Sequence, residues 1–467
     1  MPSVRPVLTR DEMRAADAAA LSSVRHETLV ARAGTAVGHA ALHLLGGGYG
    51  RRVIVVAGKG SNGADGRVAA ALLARRGARV TVIDAATAPA VLPRCDLVVD
   101  SAYGTGFAGS YDAPELAPGT PVLSVDIPSG VDADTGAASG RAFCATRTVT
   151  FAAYKPGLLQ GDGARLSGEV QVADIGIALD AWRAALVEDA DIAAWLPARP
   201  RQSNKWSTAL GIAAGSPGME GAAALCTRGA MAAGAGMIRL GSPGDRPASW
   251  PIEAVRARLP ATGWSEAFLE ATQKCLALVV GPGLGTDAAT RQDIRTVIAR
   301  APHPLVVDAD ALTALGDVTE ARTVLAERAA PTVLTPHDGE FARLAGAPPG
   351  PDRLAAARGL AAALGVVVLL KGPLTAVAKP EGATAAASPD VLLSAAGVPA
   401  LASAGTGDVL SGIIGAFLAR GVPAHRAAAL AAHVHGRAAA HGWAEGLVAG
   451  DLPMLVAACL TGARTRG

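Results

Sequence analysis

Short apolar runs that end at glycine, proline or aspartate recur from about residue 50 to the end of the chain, with helical stretches between them. Runs this short and this free of polar residues are typical of strands buried on both faces of a parallel sheet. The helical intervals between them indicate βαβ units. The pattern therefore predicts an α/β fold, with strands at residues 53–57, 97–100, 122–126, 276–280, 305–308, 332–335 and 366–370.

The length of the chain, 467 residues, is that of two or three domains. Residues 196–204 are rich in proline and basic side chains, which is typical of a linker. A new strand–glycine–helix series begins at residues 210–215. We therefore predict two three-layer α/β/α domains, residues 1–200 and residues 201–467.

Composition and charge exclude several classes of protein. The net charge is +2 and no long basic run occurs, which argues against nucleic-acid binding. No stretch of about 20 residues is free of charge and glycine, so no membrane span is expected. The five cysteines form no C-x-x-C pair and the first residues lack the apolar core of a signal peptide. These observations predict a cytoplasmic protein.

Three polar segments follow predicted strands in the first half of the chain. A glycine loop that begins at Gly58 contains Asn62 and Asp65 and leads into a helix. Asp100 precedes a Gly-Thr-Gly sequence, and Asp126 begins an Asp-Ile-Pro-Ser-Gly sequence. Each segment alone could be an ordinary turn. Because the carboxyl ends of neighbouring strands form the ligand crevice of a doubly wound sheet, the three together predict one binding site.

The second half carries a sequence suited to phosphoryl transfer, Gly405-Thr406-Gly407-Asp408, at the start of an apolar helix. Backbone N–H groups at a helix start bind anions. A carboxylate at that point can take a proton from a hydroxyl beside the anion. The alternative is that Asp408 only caps the helix.

The three motifs of the first half occur in the same order in the NAD(P)H-hydrate epimerase family, which residues 10–180 resemble. The resemblance implies a Rossmann-like domain in which Asp126 is the acid/base and contacts the substrate. It implies that potassium is bound by Asn62, Asp100 and Ser129. It also implies that the hydrated dinucleotide is held by Ser61, Asn62, Gly63, Ala64, Asp65, Gly104, Thr105, Gly106, Phe107, Ala108, Gly109 and Ser110. The family usually has asparagine and glycine where this chain has Ser61 and Ala64.

Residues 203–460 resemble the ribokinase-like fold and, within it, ADP/ATP-dependent NAD(P)H-hydrate dehydratase. The motifs are Gly-Pro-Gly-Leu-Gly at 281–285, Thr-Pro-His-Asp-Gly-Glu at 335–340, and Ala-Gly-Thr-Gly-Asp-Val-Leu at 404–410. The resemblance implies that Asp408 is the catalytic base. It implies that the substrate is contacted by Ala222, Gly283, His337 and Asp408. It implies that the nucleotide and its phosphates are bound by Lys371, Gly372, Pro373, Leu374, Thr375, Gly405, Thr406 and Gly407.

Two assignments in the second half stay open on the residues alone. A histidine after Thr-Pro, such as His337, is more often a capping or packing residue than a ligand. The neighbouring carboxylates Asp308 and Asp310 would either orient magnesium or cap the next helix.

The two resemblances together predict a bifunctional repair enzyme. It would epimerise the R and S forms of hydrated NADH and NADPH and dehydrate the S form. Dehydration would consume ADP or ATP with magnesium and, for ADP, would release phosphate and AMP. Analogy with related proteins suggests a homo-oligomer. The rival is a ribokinase-like small-molecule kinase whose N-terminal domain is a non-catalytic ligand-binding or interaction module.

Overall fold

The computed structural model of the protein describes residues 5–244, 251–380 and 389–465. The chain divides between Arg183 and Ala184 into two compact units, called the first and second units below. Within the described ranges, no helix combines the length and the apolar character that a membrane crossing requires.

The first unit is built on a parallel sheet. Strands β2 to β7 form six parallel strands in the order β3-β2-β4-β5-β6-β7. The order reverses direction at β2, which makes the β2/β4 boundary the switch point of a doubly wound sheet. The strands of the unit are β1 (Arg5–Val7), β2 (Arg52–Ala57), β3 (Arg79–Asp84), β4 (Leu97–Ser101), β5 (Val122–Val125), β6 (Arg147–Phe151) and β7 (Glu169–Ala173).

Both faces of this sheet are covered. Helices α2 and α3 pack on each other and on one face, where Val37, Leu73 and Val99 belong to a single buried cluster. On the other face Ile54, Val56 and Val98 pack against side chains from the long loops, including those of Tyr111 and Phe143. Burial on both faces explains why β2, β4 and β5 are so apolar. The helices are α1 (Arg10–Leu21), α2 (His26–Leu45), α3 (Ser61–Arg75) and α4 (Gly161–Leu166).

The second unit also has a mainly parallel sheet, in which β8 to β17 follow the order β8-β17-β16-β15-β14-β13-β12-β9-β10-β11. Only β16 runs antiparallel to its two neighbours. The strands are β8 (Ala184–Leu186), β9 (Ala209–Ala213), β10 (Met237–Pro243), β11 (Val255–Leu259), β12 (Ala277–Val280), β13 (Leu305–Val307), β14 (Thr332–Leu334), β15 (Val367–Leu370), β16 (Thr375–Ala378) and β17 (Val391–Ser394).

Two groups of helices cover the second sheet. One group comprises α5, α6, α13, α14 and α15, and the other comprises α7 to α12; each group packs within itself and against strands. The prediction of two layered α/β units is thus confirmed. The helices are α5 (Asp189–Trp195), α6 (Glu220–Ala232), α7 (Ser265–Ala271), α8 (Ala288–Arg300), α9 (Asp310–Leu315), α10 (Val318–Leu325), α11 (Asp338–Ala345), α12 (Arg353–Leu364), α13 (Thr406–Ala419), α14 (Ala424–Ala440) and α15 (Leu452–Thr465).

The division between the units lies earlier than the 200/201 boundary predicted from the proline-rich segment. Strand β8 pairs in parallel with β17, so it extends the second sheet. Asp189, the first residue of α5, accepts hydrogen bonds from His433 at 3.0 Å and Arg437 at 3.1 Å, both on α14. Residues 184–195 therefore belong to the second unit, whereas the prediction from the proline-rich segment assigned them to the first domain.

Candidate active sites

A cavity of about 860 Å³ lies at the carboxyl edge of the first sheet. Its walls come from segments that follow β2, β3, β4, β5 and β6, where a doubly wound sheet places its ligand crevice. Most residues predicted to hold the dinucleotide line it. These are Ser61, Asn62, Asp65, Gly104, Thr105, Gly106, Phe107, Ala108 and Asp126.

Four predicted binding residues, Gly63, Ala64, Gly109 and Ser110, are not among the described residues that line this cavity. A β-carbon at Gly63 would stand 1.9 Å from the carbonyl oxygen of Gly58, so this glycine is required by close backbone packing. Ala64 lies in the first turn of α3, where its N–H donates to Gly60 at 3.0 Å. The methyl group of Ala64 therefore does not narrow the cavity.

Asp126 is the most constrained residue of the cavity. Its φ of 67° is a left-handed conformation that few residues other than glycine adopt. Its Oδ1 accepts hydrogen bonds from Lys155 Nζ at 2.7 Å and from Thr150 Oγ1 at 3.1 Å. Lys155 is 1% exposed and also donates to the Phe151 carbonyl at 3.0 Å. A strained carboxylate fixed by a buried lysine inside a cavity is typical of a functional site.

Two of the other acids that line this cavity, Asp65 and Asp17, have raised pKa values. Burial, followed by the charge of Asp126, raises the pKa of Asp65 to about 8. Burial also raises the pKa of Asp17 above its ordinary value, against the opposing charge of Lys155. Asp65 is therefore protonated at neutral pH, so it adds no second negative charge beside Asp126.

Of the three residues predicted to bind potassium, Asn62 lines the cavity, whereas Asp100 and Ser129 are fully buried. Asp100 is fully buried and accepts hydrogen bonds from Ser129 Oγ at 2.6 Å, Ser129 N at 2.9 Å and Ser124 Oγ at 3.0 Å. Burial raises the pKa of Asp100 despite these donors. Among the residues that the structure describes, neither polar atom of the buried Asn62 amide has a hydrogen-bond partner. A buried carboxylate without a cation and an unpaired amide oxygen fit an oxygen-ligated monovalent cation.

In the second unit, Asp408 stands in the first turn of α13. Gly405 precedes the helix with a φ of 86°, a conformation that glycine adopts without strain. Burial raises the pKa of Asp408 to about 7; Asp308 and Asp310 add to this shift, and Lys371 opposes it. A carboxylate with this pKa can act as a general base at neutral pH.

Lys371 lies beside the start of α13. A β-carbon at Gly407 would be 3.6 Å from Lys371 Nζ. The same nitrogen donates to Asp308 Oδ1 at 2.8 Å, and Ser411 Oγ donates to Asp308 Oδ2 at 2.6 Å. Burial disfavours the lysine charge, but Asp308 and Glu340 outweigh it and raise the pKa of Lys371. A permanent positive charge therefore stands next to the helix N-terminus, as phosphate binding requires.

The hydrogen bonds of Asp308 and Asp310 show which protein groups the two carboxylates hold. Asp308 is 1% exposed and is bound to Lys371 and Ser411. Lys371 holds the pKa of Asp308 below its ordinary value, against the effect of burial. Asp310 Oδ2 accepts from Gly285 N at 2.8 Å. Both carboxylates therefore hold protein groups in place, and within the described residues no side chain caps the start of α9.

Ala222 and Gly283, both predicted to contact the substrate, lie against each other. Gly283 has a φ of 62°, and a β-carbon there would be 2.9 Å from Ala222 Cβ. His337 takes the capping role that residue statistics favour, since its Nδ1 accepts from Gly339 N at 3.0 Å at the start of α11. Its side chain is 60% exposed, and its Nε2 lies 3.6 Å from Glu340 Oε1.

The predicted nucleotide segment after β15 is only partly accessible. Leu374 is 1% exposed and belongs to the core, so only its backbone can face a nucleotide. Gly372 lies beside Arg353, whose Nη2 donates to the Lys371 carbonyl at 2.6 Å. Thr375 Oγ1 donates to the Gly372 carbonyl at 3.1 Å, which folds the segment into a tight turn. Pro373 is exposed at the tip of this turn.

Sequence reasoning assigned no role to several residues that complete the two sites. Lys155 belongs to a Lys-Pro-Gly sequence that follows β6, and this position was the only signal for it. Ser411 lies one turn after Asp408 on α13. Glu340 is buried, and burial raises its pKa, whereas the nearby charge of Lys371 lowers it. Lys155 and Ser411 donate hydrogen bonds to Asp126 and Asp308, which lie 29 and 103 positions away in the chain.

Comparison with known proteins identifies the families that both halves of the chain resemble. Residues 210–461 match the NAD(P)H-hydrate dehydratase family, and residues 26–94 and 83–157 match the YjeF-related protein N-terminus. The bifunctional NAD(P)H-hydrate repair enzyme of Mycobacterium tuberculosis (strain H37Rv) is 40% identical over 451 residues, which cover 90% of each chain.

Solved structures resemble the second unit. The ADP/ATP-dependent NAD(P)H-hydrate dehydratase of Bacillus subtilis, crystallised with ATP and Mg²⁺, is 29% identical with a TM-score of 0.50 and covers 59% of this chain and 97% of its own. A ribokinase-like protein of Enterococcus faecalis, 22% identical with a TM-score of 0.51 over 60% of this chain and 96% of its own, shows the same fold. The resemblance found in the motifs is confirmed, and the chain belongs to the family of bifunctional NAD(P)H-hydrate repair enzymes.

Proposed function

We propose that this protein repairs hydrated NADH and NADPH through two activities. The first unit interconverts the R and S epimers of the hydrate, and the second dehydrates the S epimer with ADP or ATP as phosphoryl donor. The observation that carries the proposal is that each unit presents a carboxylate, Asp126 or Asp408, in a site that also contains a lysine. The family to which the chain belongs supports the same conclusion.

Epimerisation requires that the C6–O bond of the hydrate breaks and forms again on the other face of the ring. The lone pair of the ring nitrogen assists departure of the hydroxyl once it is protonated, and water then adds from the opposite side. Asp126 gives the proton to the leaving oxygen and takes one from the entering water. Lys155 and Thr150 both hold Oδ1 of Asp126, so Oδ2 is directed to the substrate.

Asn62, Asp100 and Ser129 would hold a potassium ion in the first unit. When bound, the ion supplies a positive charge that offsets the buried Asp100 carboxylate and orders the Asn62 amide. A β-carbon at Gly104 would be 3.3 Å from Asn62 Cγ, so Asn62 adjoins the segment that lines the cavity after β4. The role of these residues is to keep that wall in place.

Dehydration in the second unit begins with a proton transfer to Asp408. Hydroxide is a poor leaving group, whereas phosphate is a good one. Asp408 takes the proton of the C6 hydroxyl, which attacks the terminal phosphoryl of the donor. Phosphate then leaves with assistance from the ring nitrogen, and loss of a C5 proton restores the dihydronicotinamide. With ADP the products are AMP, phosphate and NADH or NADPH.

The start of α13 and Lys371 would receive the phosphoryl group. Gly407, in the first turn of α13, lies next to the Lys371 ammonium, so negative charge that develops at the helix start is stabilised. Magnesium bound to the phosphates of the donor would neutralise part of their charge. We assign it no protein ligand, because Asp308 and Asp310 are engaged with protein groups.

The direct test supplies the purified protein with a mixture of R and S NADH hydrate, magnesium, and ADP or ATP. We expect complete conversion to NADH, with one phosphate released per NADH. The near-ultraviolet absorbance of NADH measures the conversion. Conversion that stops when the S epimer is consumed would contradict the epimerase assignment. A stable phosphorylated product without NADH would favour the kinase rival. No conversion with either donor would overturn the dehydratase assignment.

The pKa of Asp408 predicts the pH dependence of dehydration. Because the folded-state pKa is raised to about 7, the base is protonated and inactive below that pH. We expect kcat/KM for the S hydrate to rise about tenfold per pH unit below pH 7 and to level off above it. Steady-state rates from about pH 5.5 to 8.5 measure this. A flat profile over that range would contradict a base whose pKa is raised to about 7.

A further inference from the structure

Asp84 occupies a position in the first unit to which the proposed mechanism gives no role. It is the last residue of β3 and is aligned with Ala57, the last residue of the neighbouring strand β2. The glycine loop that leads into α3 follows Ala57 directly. Asp84 therefore stands beside the loop that receives a dinucleotide, on the side of β2 away from β4.

Asp84 is one of the residues that line the cavity. Asp84, Ala85 and Ala86 all line it, together with Lys59 and Gly60 of the glycine loop. Asp84 Oδ1 accepts a hydrogen bond from Ala86 N at 2.9 Å. This is the one hydrogen bond that the Asp84 side chain makes within the described residues, so Oδ2 can accept hydrogen bonds from a ligand.

A carboxylate in this position distinguishes NADH from NADPH. In a dinucleotide-binding βαβ unit, an acidic side chain at the end of the second strand accepts hydrogen bonds from the adenosine ribose hydroxyls. A phosphate on the 2′ oxygen replaces one of these donors with a group of about two negative charges. The same carboxylate then repels the ligand and leaves its own oxygen without a donor.

The other charges of the cavity do not reverse this preference. Its acidic residues are Asp17, Asp65, Asp84 and Asp126, and its lysines are Lys59 and Lys155. Lys155 is bound to Asp126. Lys59 lies in the glycine loop, where the pyrophosphate that NADH and NADPH share would bind. The histidine of the cavity, His26, is hydrogen-bonded to Ser61 Oγ at 3.2 Å. The residues that follow Asp84 in the cavity wall, Ala85 and Ala86, carry no positive charge that could bind a 2′-phosphate.

We infer that the first unit selects hydrated NADH over hydrated NADPH, and that Asp84 is the residue that determines this specificity. The inference rests on the proposed epimerase function of the first unit. It concerns a part of the substrate remote from the reacting carbon, so it is independent of the roles of Asp126 and Lys155.

The test compares epimerisation of R-NADH hydrate and R-NADPH hydrate by the full-length protein. ADP and ATP are omitted so that the epimers can be separated by chromatography without dehydration. We expect the kcat/KM of the wild type to favour NADH hydrate by at least about tenfold. Asp84→Asn keeps an oxygen for Ala86 N but removes the charge. It should reduce this preference at least about fivefold, mainly by lowering KM for NADPH hydrate.

Asp11→Asn is the matched control. This residue also belongs to the first unit, its side chain is 91% exposed, and it does not line the cavity. The control should keep the wild-type preference. Asp84→Ser provides a second variant that retains a capping oxygen, and it should behave like Asp84→Asn.

Two outcomes would overturn the inference. Equal kcat/KM for the two hydrates in the wild type would show that no selection exists. An unchanged preference in both Asp84 variants would show that another residue is responsible. Failure of the wild type to epimerise either hydrate is a different result, since it would remove the proposed function itself.

Discussion

Asp408→Asn is expected to lower kcat for dehydration of S-NADH hydrate by a factor of about 10³, because it removes the only proposed acceptor of the C6 hydroxyl proton. Asparagine has nearly the same shape but cannot take the proton. KM for the hydrate should change little, since the amide can still accept a hydrogen bond from the hydroxyl. The measurement is the initial rate of NADH formation with saturating ADP and magnesium.

Unfolding would not explain such a loss. The raised pKa of Asp408 means that its charge is unfavourable in the folded protein, so the neutral variant should be at least as stable as the wild type above about pH 7. The epimerase activity of the same sample is an internal control and should be unchanged. Glu266→Gln, at a side chain that is 64% exposed, is the matched control in the second unit. A variant rate within about threefold of the wild-type rate would contradict the proposed role of Asp408.

Asp126→Asn is expected to lower the epimerisation rate by about 10² to 10⁴, because the site loses the group that donates and accepts the proton. Asparagine is the informative substitution here, since it tolerates the left-handed backbone conformation that Asp126 adopts. With ADP and magnesium present, conversion of a mixture of epimers should stop once the S form is consumed. Chromatography should then show the R form remaining.

This variant needs its own control for folding. The buried Lys155 loses its charged partner, which is expected to reduce stability by roughly 3 kcal/mol. Rates should therefore be measured well below the unfolding temperature, and the dehydratase activity should be intact. Asp162→Asn, on an exposed side chain of α4, should epimerise like the wild type. Complete conversion of the R epimer by Asp126→Asn would show that the carboxylate is not required.

Local patterns predicted the strands well. The expected runs at 53–57 and 366–370 correspond to Arg52–Ala57 and Val367–Leu370, because a buried parallel strand must be apolar throughout and must stop at a polar turn. The glycine loop and Asp126 lie in one cavity for the same reason, since carboxyl ends of parallel strands share an edge.

What the sequence did not predict depends on contacts between distant segments. The pairing of Lys371 with Asp308 and that of Ser411 with the same carboxylate join residues 63 and 103 positions apart. Contacts between residues so far apart leave no periodic pattern in the sequence from which they could be predicted. His337 shows the opposite case, because its capping bonds are local and residue statistics alone favoured that role.

The position of β8 and α5 also has a consequence for dissecting the protein by gene truncation. A fragment that begins at residue 201 would lack β8 and would leave the backbone N–H and C=O groups of β17 open along one side. Open strands of this kind pair with other chains. It would also lack Asp189, so His433 and Arg437 on α14 would lose the acid to which they are bound. Aggregation of such a fragment would reflect where it was cut and would say nothing about whether the dehydratase half can exist alone.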